Sequence, residues 1–316
     1  MRIAFVGKGG SGKTTLAALF ARWLAARGAP VLAIDADINQ HLGTALGLSA
    51  GEAAALPSLA DHLPALKEHL RGANPRIRSV ESMVKTTPPG TGSRLLSLAE
   101  TGPVRRAVER DVGGVRLLVT GPFTDDDLGV ACYHSKVGAA ELLLNHLVDR
   151  TDEYVVVDMT AGADSFASGM FTRFDLTVLV VEPTARSVAV HRQYVGHARG
   201  FGVAVAAAAN KIRGEEDRAF VETELGAPPV AVFVDSPYVR AMEKGRFLPM
   251  ERLEPENERG LRRVRAALDG QGKDWARFHR QTVEFHVRNA RAWANAAVGE
   301  DLTAQVDPDF VLSVKE

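Results

Sequence analysis

Ile3-Ala4-Phe5-Val6-Gly7-Lys8-Gly9-Gly10-Ser11-Gly12-Lys13-Thr14-Thr15, at the start of the chain, decides the fold. The apolar run Ile3 to Val6 has strand character and Leu16 to Leu24 has helical spacing, so the glycines fall at a strand-to-helix turn. Such a turn binds phosphate. Gly9, Gly10, Ser11 and Gly12 let backbone amides close around phosphate oxygens, and Lys13 brings a point charge to the outer phosphates. The Thr14 hydroxyl, followed by Thr15, can ligate Mg2+. A glycine-rich turn without a ligand would leave Lys13 and Thr14 unexplained. Lys8 raises a separate question, because Lys13 already serves the phosphates within one subunit. A second lysine in the loop needs its own reason.

Outward from this loop, apolar runs alternate with helical ones: Ile3 to Val6, Val31 to Ile34, Val115 to Val119, Tyr154 to Val157, Leu176 to Val181, Val203 to Ala209 and Val230 to Val234. That rhythm predicts an α/β fold, a doubly wound and mostly parallel sheet flanked by helices, with ligands at the carboxyl ends of the strands. Residues 1–250 are expected to form the nucleotide-binding domain. Residues 49–101 are read as an insertion, with helical character from Leu59 to Leu70 followed by Pro75, Pro88, Pro89, Gly90 and Gly92. Residues 251–316 are read as a C-terminal helical extension packed on the core. The formal net charge of −1 gives no overall field favouring nucleic acid or an anionic membrane. A single cysteine, Cys132, excludes an intrachain disulfide framework and suits a reducing cytoplasm. No segment has the apolar length of a membrane span, and the N-terminus runs directly into a strand rather than a signal peptide.

The pattern Lys8-Gly9-Gly10-x-Gly12-Lys13-Thr14 resembles the deviant Walker A motif of the MinD, ParA and nitrogenase iron-protein superclass of P-loop ATPases. The resemblance implies that Lys8 reaches across a nucleotide-sandwich homodimer to the partner's phosphates, so Lys8 joins Lys13 as a catalytic residue. There it would oppose the charge that spreads over a transferring phosphoryl group. After the second strand, Asp35 and Asp37 alternate, which points both to one face while the chain stays extended. By resemblance Asp35 supports Mg2+ and Asp37 orients or deprotonates the attacking water. Asp158-Met159-Thr160-Ala161-Gly162 matches the Walker B and second-switch arrangement. Asp158 would support the Mg2+ shell, and the Gly162 amide could approach the terminal phosphate because no side chain blocks it. After the run ending at Ala209, Asn210-Lys211-Ile212-Arg213 carries Arg213 where guanine-specific relatives place an aspartate. Arg213 has only donors, so ATP is the expected nucleotide, with Asn210 at the polar edge of adenine. By analogy Asp235 and Pro237, after the last strand, supply further contacts. A simple turn there is the competing reading.

Gly121-Pro122-Phe123, Gly129-Val130-Ala131-Cys132, Ala139 to Leu147, Asp158-Met159-x-Ala161-Gly162 and Val181-Glu182-Pro183-x-x-Arg186-Ser187 look like the CooC-type nickel-maturation ATPases. With the phosphate loop, that likeness spans roughly residues 1–250. Those proteins carry a Cys-x-Cys pair, and here Val130 replaces the first cysteine. Cys132 alone supplies two sulfurs per dimer, too few for a four-cysteine iron-sulfur cluster. Cys132 and His134 from two subunits could instead make a Cys2His2 site for Ni2+ or Zn2+. The competing reading is a buried cysteine and a surface histidine.

Between Arg259 and Arg291, nine basic residues stand against three acidic ones. That local patch is what a DNA-binding class would use. Positions 275, 278, 282, 285, 289 and 293 make a largely aromatic stripe at helical spacing, which docks on its own core in the preferred reading. The acidic end, Gly299 to Glu316, lacks a membrane anchor's basic amphipathic character. Two function classes compete: a dimerising Mg-ATPase that matures or delivers a metal cofactor to a client protein, and a ParA- or MinD-like positioning ATPase that binds DNA or a scaffold. A slow regulatory ATP sensor is third. Cys132 and the second-switch sequence favour the first.

Overall fold

The computed structural model describes residues 1–100, 102–121, 133–160, 165, 166 and 168–313; of residues 133–135 it describes the backbone alone. Among the described residues there are ten strands: β1 (Arg2–Gly7), β2 (Val31–Ala36), β3 (Leu96–Ser97), β4 (Arg110–Val112), β5 (Val115–Val119), β6 (Leu147–Val148), β7 (Tyr154–Met159), β8 (Leu176–Val181), β9 (Val205–Ile212) and β10 (Ala231–Val234). Eight of them form one sheet in the order β10-β9-β8-β1-β7-β2-β5-β4. Every pairing is parallel except β4 with β5 at the edge.

The helices are α1 (Lys13–Ala25), α2 (Leu42–Leu46), α3 (Ala50–Ala54), α4 (Leu63–Arg71), α5 (Pro103–Val108), α6 (Tyr133–His146), α7 (Ala185–Ala198), α8 (Glu215–Leu225), α9 (Pro237–Glu243), α10 (Pro255–Asp269), α11 (Trp275–Asn289) and α12 (Asn295–Val298). They cover both faces of the sheet, so β1, β2, β7 and β8 are buried along their whole length. Alternation sorts their side chains: Ile3 and Phe5 pack under α1 and α10, while Ala4 and Val6 face the core formed with α4 and α6.

All seven predicted strands are present, but β9 runs further than expected. It continues through Ile212, which places Asn210 and Lys211 inside the strand rather than after it. The hairpin partner β4 was not anticipated. Gly113 (φ 61°) and Gly114 (φ 86°) form the two-residue turn to β5, the backbone that a type I′ hairpin requires. The helical reading of Leu59 to Leu70 starts too early. The Leu59 amide bonds the Val119 carbonyl at 2.9 Å, extending the edge of β5, and α4 begins only at Leu63. Leu147, read as helical, lies in β6, which pairs with β3 of the 49–101 segment.

C-terminal helices are present as anticipated. Phe278 and Thr282 of the stripe are buried, whereas Trp293 is half exposed in the π-helical turn Ala290–Ala294 that joins α11 to α12. Phe285 meets Phe171 edge to face with ring centroids 5.5 Å apart. The same C-terminal region secures the 49–101 segment: Gln305 Nε2 donates to the Ser82 carbonyl at 2.9 Å, and the Thr91 amide donates to Asp307 Oδ2 at 2.9 Å.

Candidate nucleotide site

The loop between β1 and α1 lies at the centre of the sheet's carboxyl edge. Gly10 (φ 81°) and Gly12 (φ 94°) take left-handed backbone, and the Ser11 amide donates to the Lys8 carbonyl at 3.0 Å. Gly12 has a second reason to lack a side chain. A Cβ there would stand 2.3 Å from Asn210 Nδ2, which donates to the Ser11 carbonyl at 2.8 Å. Asn210 therefore reaches the loop from β9 and fixes its shape.

Strand register assembles the carboxylates. Asp35 on β2 pairs directly with Asp158 on β7, so two acidic side chains stand one strand spacing apart at the same level. Burial, and then the Asp158 charge, push Asp35 well above the ordinary carboxylate range; the amides of Leu42 (2.8 Å) and Asp37 (3.2 Å) offset this in part. Burial also raises Asp158, to about 6, against the opposing pull of Lys13 and Thr14. Asp37 differs. Burial would raise it, but the bond from Lys13 Nζ and those from the amide and side chain of Asn39 (3.0 and 3.1 Å) outweigh burial and hold it below the usual range. Lys13 is raised in turn, because Asp158 and Asp37 together overcome its own desolvation.

The donor set suits Mg2+. Thr14 Oγ1 donates to Asp158 Oδ2 at 2.6 Å, while Asp158 Oδ1 is buried with no hydrogen-bond partner among the described residues and lies 3.7 Å from Lys13 Nζ. A hydroxyl oxygen beside an unsatisfied carboxylate oxygen is hard-cation chemistry, with phosphate oxygens and water left to complete the shell.

Lys8 is held within its own subunit. Its ammonium lies 3.0 Å from Glu182 Oε2, and Glu182 Oε1 accepts from Lys211 at 2.6 Å. Lys211 also donates to the Gly10 carbonyl at 2.6 Å from a left-handed backbone (φ 60°). In the sequence Glu182 carries no signal of its own beyond its place in Val181-Glu182-Pro183. Its place at the carboxyl end of β8, the strand beside β1, is the signal that marks it as a neighbour of the loop.

A cleft opens beside Gly12 and Thr15, lined by Asn210, Lys211, Arg213, Phe233, Asp235 and Ser236 among others. Asp235 lines it but is paired with Arg240; Pro237 opens α9 and is not part of the lining. Gly162 and Cys132 lie outside the described residues, as does the side chain of His134. Among the described residues no group of three or more His, Cys, Asp or Glu is arranged to hold a metal, and no helix is long and apolar enough to cross a membrane.

The family model CbiA, the CobQ/CobB/MinD/ParA nucleotide binding domain, matches residues 3–244. The chain belongs to this family. Among its relatives is the carbon monoxide dehydrogenase accessory protein CooC of Rhodospirillum rubrum, 31% identical over 70% of this chain and 78% of that protein. An uncharacterized ATP-binding protein of Methanocaldococcus jannaschii is 29% identical over 78% of this chain and 89% of its own length. The MinC:MinD cell division protein complex of Aquifex aeolicus superposes with a TM-score of 0.55 at 18% identity, covering 86% of this chain and 97% of that one. That likeness establishes a shared MinD/ParA fold.

Proposed function

We propose that this protein is a Mg-dependent ATPase whose nucleotide-sandwich homodimer acts as a switch in maturing or delivering a metal cofactor to a client protein. The observation that carries the ATPase reading is the constellation of Lys13 and Thr14 at the start of α1 with Asp35, Asp37 and Asp158 at the ends of β2 and β7. Support for the maturation role is the likeness to CooC over 70% of the chain. Residues 1–250 act as the ATPase unit, and 251–316 as an extension.

Thr14 would hold Mg2+ directly, with Asp35 and Asp158 in its surrounding shell. The cation, when bound, neutralises charge on the outer phosphates. Gly9 to Gly12 and Thr15 present backbone amides to the phosphates, and Gly162 completes the cradle. Lys13 exchanges Asp37 for phosphate oxygens, which frees Asp37 beside the terminal phosphate. Asp37, still held by the amide and side chain of Asn39, then orients or deprotonates the attacking water. Asn210 has its amide nitrogen committed to Ser11, which leaves its oxygen for adenine's amino group, and Asp235 lines the cleft that would take the base, with Pro237 opening the helix that follows. Lys8 acts on the partner's phosphates. Cys132 and His134 are the ligands proposed for a cargo ion such as Ni2+ or Zn2+.

Asp37→Ala should lower ATP turnover by about 10²-fold or more while ADP still binds. Unchanged turnover would remove Asp37 from the mechanism. Size-exclusion chromatography with ATP, ADP and no nucleotide, with metal analysis of each peak, tests the rest. An ATP-dependent dimer carrying metal supports the whole reading; a metal-free dimer removes Cys132 and His134 as ligands; a monomer throughout removes the cross-subunit role of Lys8.

A further inference from the structure

Glu182 sits between two lysines at the mouth of the phosphate loop. Its backbone is fixed there, because its amide donates to Ser187 Oγ at 3.0 Å and its carbonyl accepts from the Thr184 amide at 2.7 Å. One carboxylate oxygen meets Lys8 at 3.0 Å and the other meets Lys211 at 2.6 Å. Glu182 is largely buried (12% exposed), whereas Lys8 is 27% and Lys211 52% exposed. A largely buried carboxylate stripped of every partner is strongly disfavoured. Two cations on separate oxygens change that balance, since either can leave while the other stays.

The two lysines are not equivalent. Lys211 is anchored a second time, on the Gly10 carbonyl, and occupies a left-handed backbone that a non-glycine residue adopts only at some cost. The Lys8 ammonium has Glu182 as its one hydrogen-bond partner among the described residues. Lys8 is therefore the cation free to move, and Lys211 the one built to remain.

We propose that Glu182 is a positioning residue for Lys8: it parks the Lys8 ammonium inside its own subunit until a nucleotide-loaded second copy draws it away, and Lys211 keeps Glu182 paired after the release. This rests on the cross-subunit role given to Lys8 above. The parked ion pair opposes premature dimerisation, and the phosphate charge of a partner's bound ATP is what outcompetes it. A partly exposed pair of this kind is worth a few-fold in an equilibrium, enough to set a threshold and not enough to lock the subunit.

Two measurements test this on the full-length protein. In the nucleotide-free state, the acylation rate of Lys8 by an amine-selective reagent, followed by mass spectrometry of the Lys8 peptide, should rise about two- to fivefold in Glu182→Gln. At saturating Mg-ATP, the protein concentration giving half-maximal dimer should fall by a similar factor in Glu182→Gln. It should rise in Lys211→Met, which leaves Glu182 to Lys8 alone. Opposite signs are the signature, because a merely structural role would weaken dimerisation in both variants. Lys8 labelling that is the same in Glu182→Gln and wild type overturns the parking role even if the dimer forms. Labelling that responds while wild type stays monomeric at every ATP concentration overturns the handover together with the dimer reading. If Glu182→Gln unfolds, an unchanged or lowered threshold in Lys211→Met overturns the proposal on its own.

Discussion

Asp158 shows what the nucleotide site demands of a single residue. Its carboxyl is fully buried beside Asp35, and burial raises it to about 6, above an ordinary aspartate value near 4. Between those two values the folded chain binds more protons than the unfolded chain, so stability contributed at this position falls as pH rises through the window. The strain is therefore present in full at neutral pH. Asp158→Asn keeps an oxygen to accept the Thr14 hydroxyl and removes the ionisation. The variant without nucleotide should be more stable than wild type at pH 7.5 by on the order of 1–3 kcal/mol, with the difference shrinking toward pH 4.5. Urea midpoints at the two pH values measure this. A variant no more stable at pH 7.5, or a gain that does not shrink on acidification, would remove the claim that Asp158 is held at a cost to the fold. A destabilised carboxylate pair is reasonable at a cation site, where the ligand supplies the charge that the fold withholds.

Among the elements, α10 and the edge strand β10 show a packing device that no short motif announces. Asn257 Oδ1 accepts from the Val234 amide at 2.9 Å and Asn257 Nδ2 donates to the Val234 carbonyl at 3.3 Å, so one side-chain amide satisfies the strand where no further strand follows. Gly260, one turn on, lets α10 sit against Phe233, where a Cβ would stand 2.8 Å from the ring. Asn257→Ala should lower stability by about 1–3 kcal/mol through the two unpaired groups, read as a shifted urea midpoint with unchanged slope. An effect under about 0.5 kcal/mol would mean that water replaces the amide. The central strands were legible because burial on both faces forces continuous apolar runs, and the loop because glycine, lysine and threonine have few other uses in that order. The edge was less legible. Gly113-Gly114 is a hairpin signal flanked by too short a β4 to stand out, and beyond Ala209 the polar pair Asn210-Lys211 interrupts the apolar run of β9 and leaves Ile212 as the one apolar residue at its end. Glu182 was present in the sequence without a role, because its partner is 174 residues away and only the order of β8 beside β1 brings them together.

At the scale of the whole molecule, the two ends of the chain are tied by charges far from the nucleotide site. Asp149, after β6, takes the N-terminal ammonium at 2.7 Å, Arg2 Nε at 2.6 Å and Lys273 at 2.5 Å; Lys273 also meets Asp175, just before β8, at 2.7 Å. The Arg2 guanidinium lies over the rings of Trp275 and Phe278, 5.2 and 5.1 Å from their centroids, so α11 closes over the start of β1. Burial would raise Asp149, but Arg2, Lys273 and the N-terminus outweigh it and hold its carboxyl far below the ordinary value. The sign is therefore opposite to that at Asp158. Asp149 contributes stability above the ordinary carboxylate value, and that contribution is lost as pH falls toward its folded value. Lys273→Met keeps the length of the side chain and removes one cation from two buried carboxylates. Asp149 retains Arg2 and the N-terminus, which limits the loss to about 2–4 kcal/mol rather than that of a fully orphaned charge. The deficit should be full at pH 7 and diminish below pH 4, as Asp149 takes up a proton that replaces the missing cation. Chemical denaturation from pH 3 to pH 7 follows this directly. Because Lys273 joins the C-terminal extension to the sheet, hydrogen exchange in α11 should accelerate in the variant more than in β1, β7 or β8. Uniform acceleration across all four elements would mean that the extension and the sheet open as one cooperative unit rather than through this ionic tie.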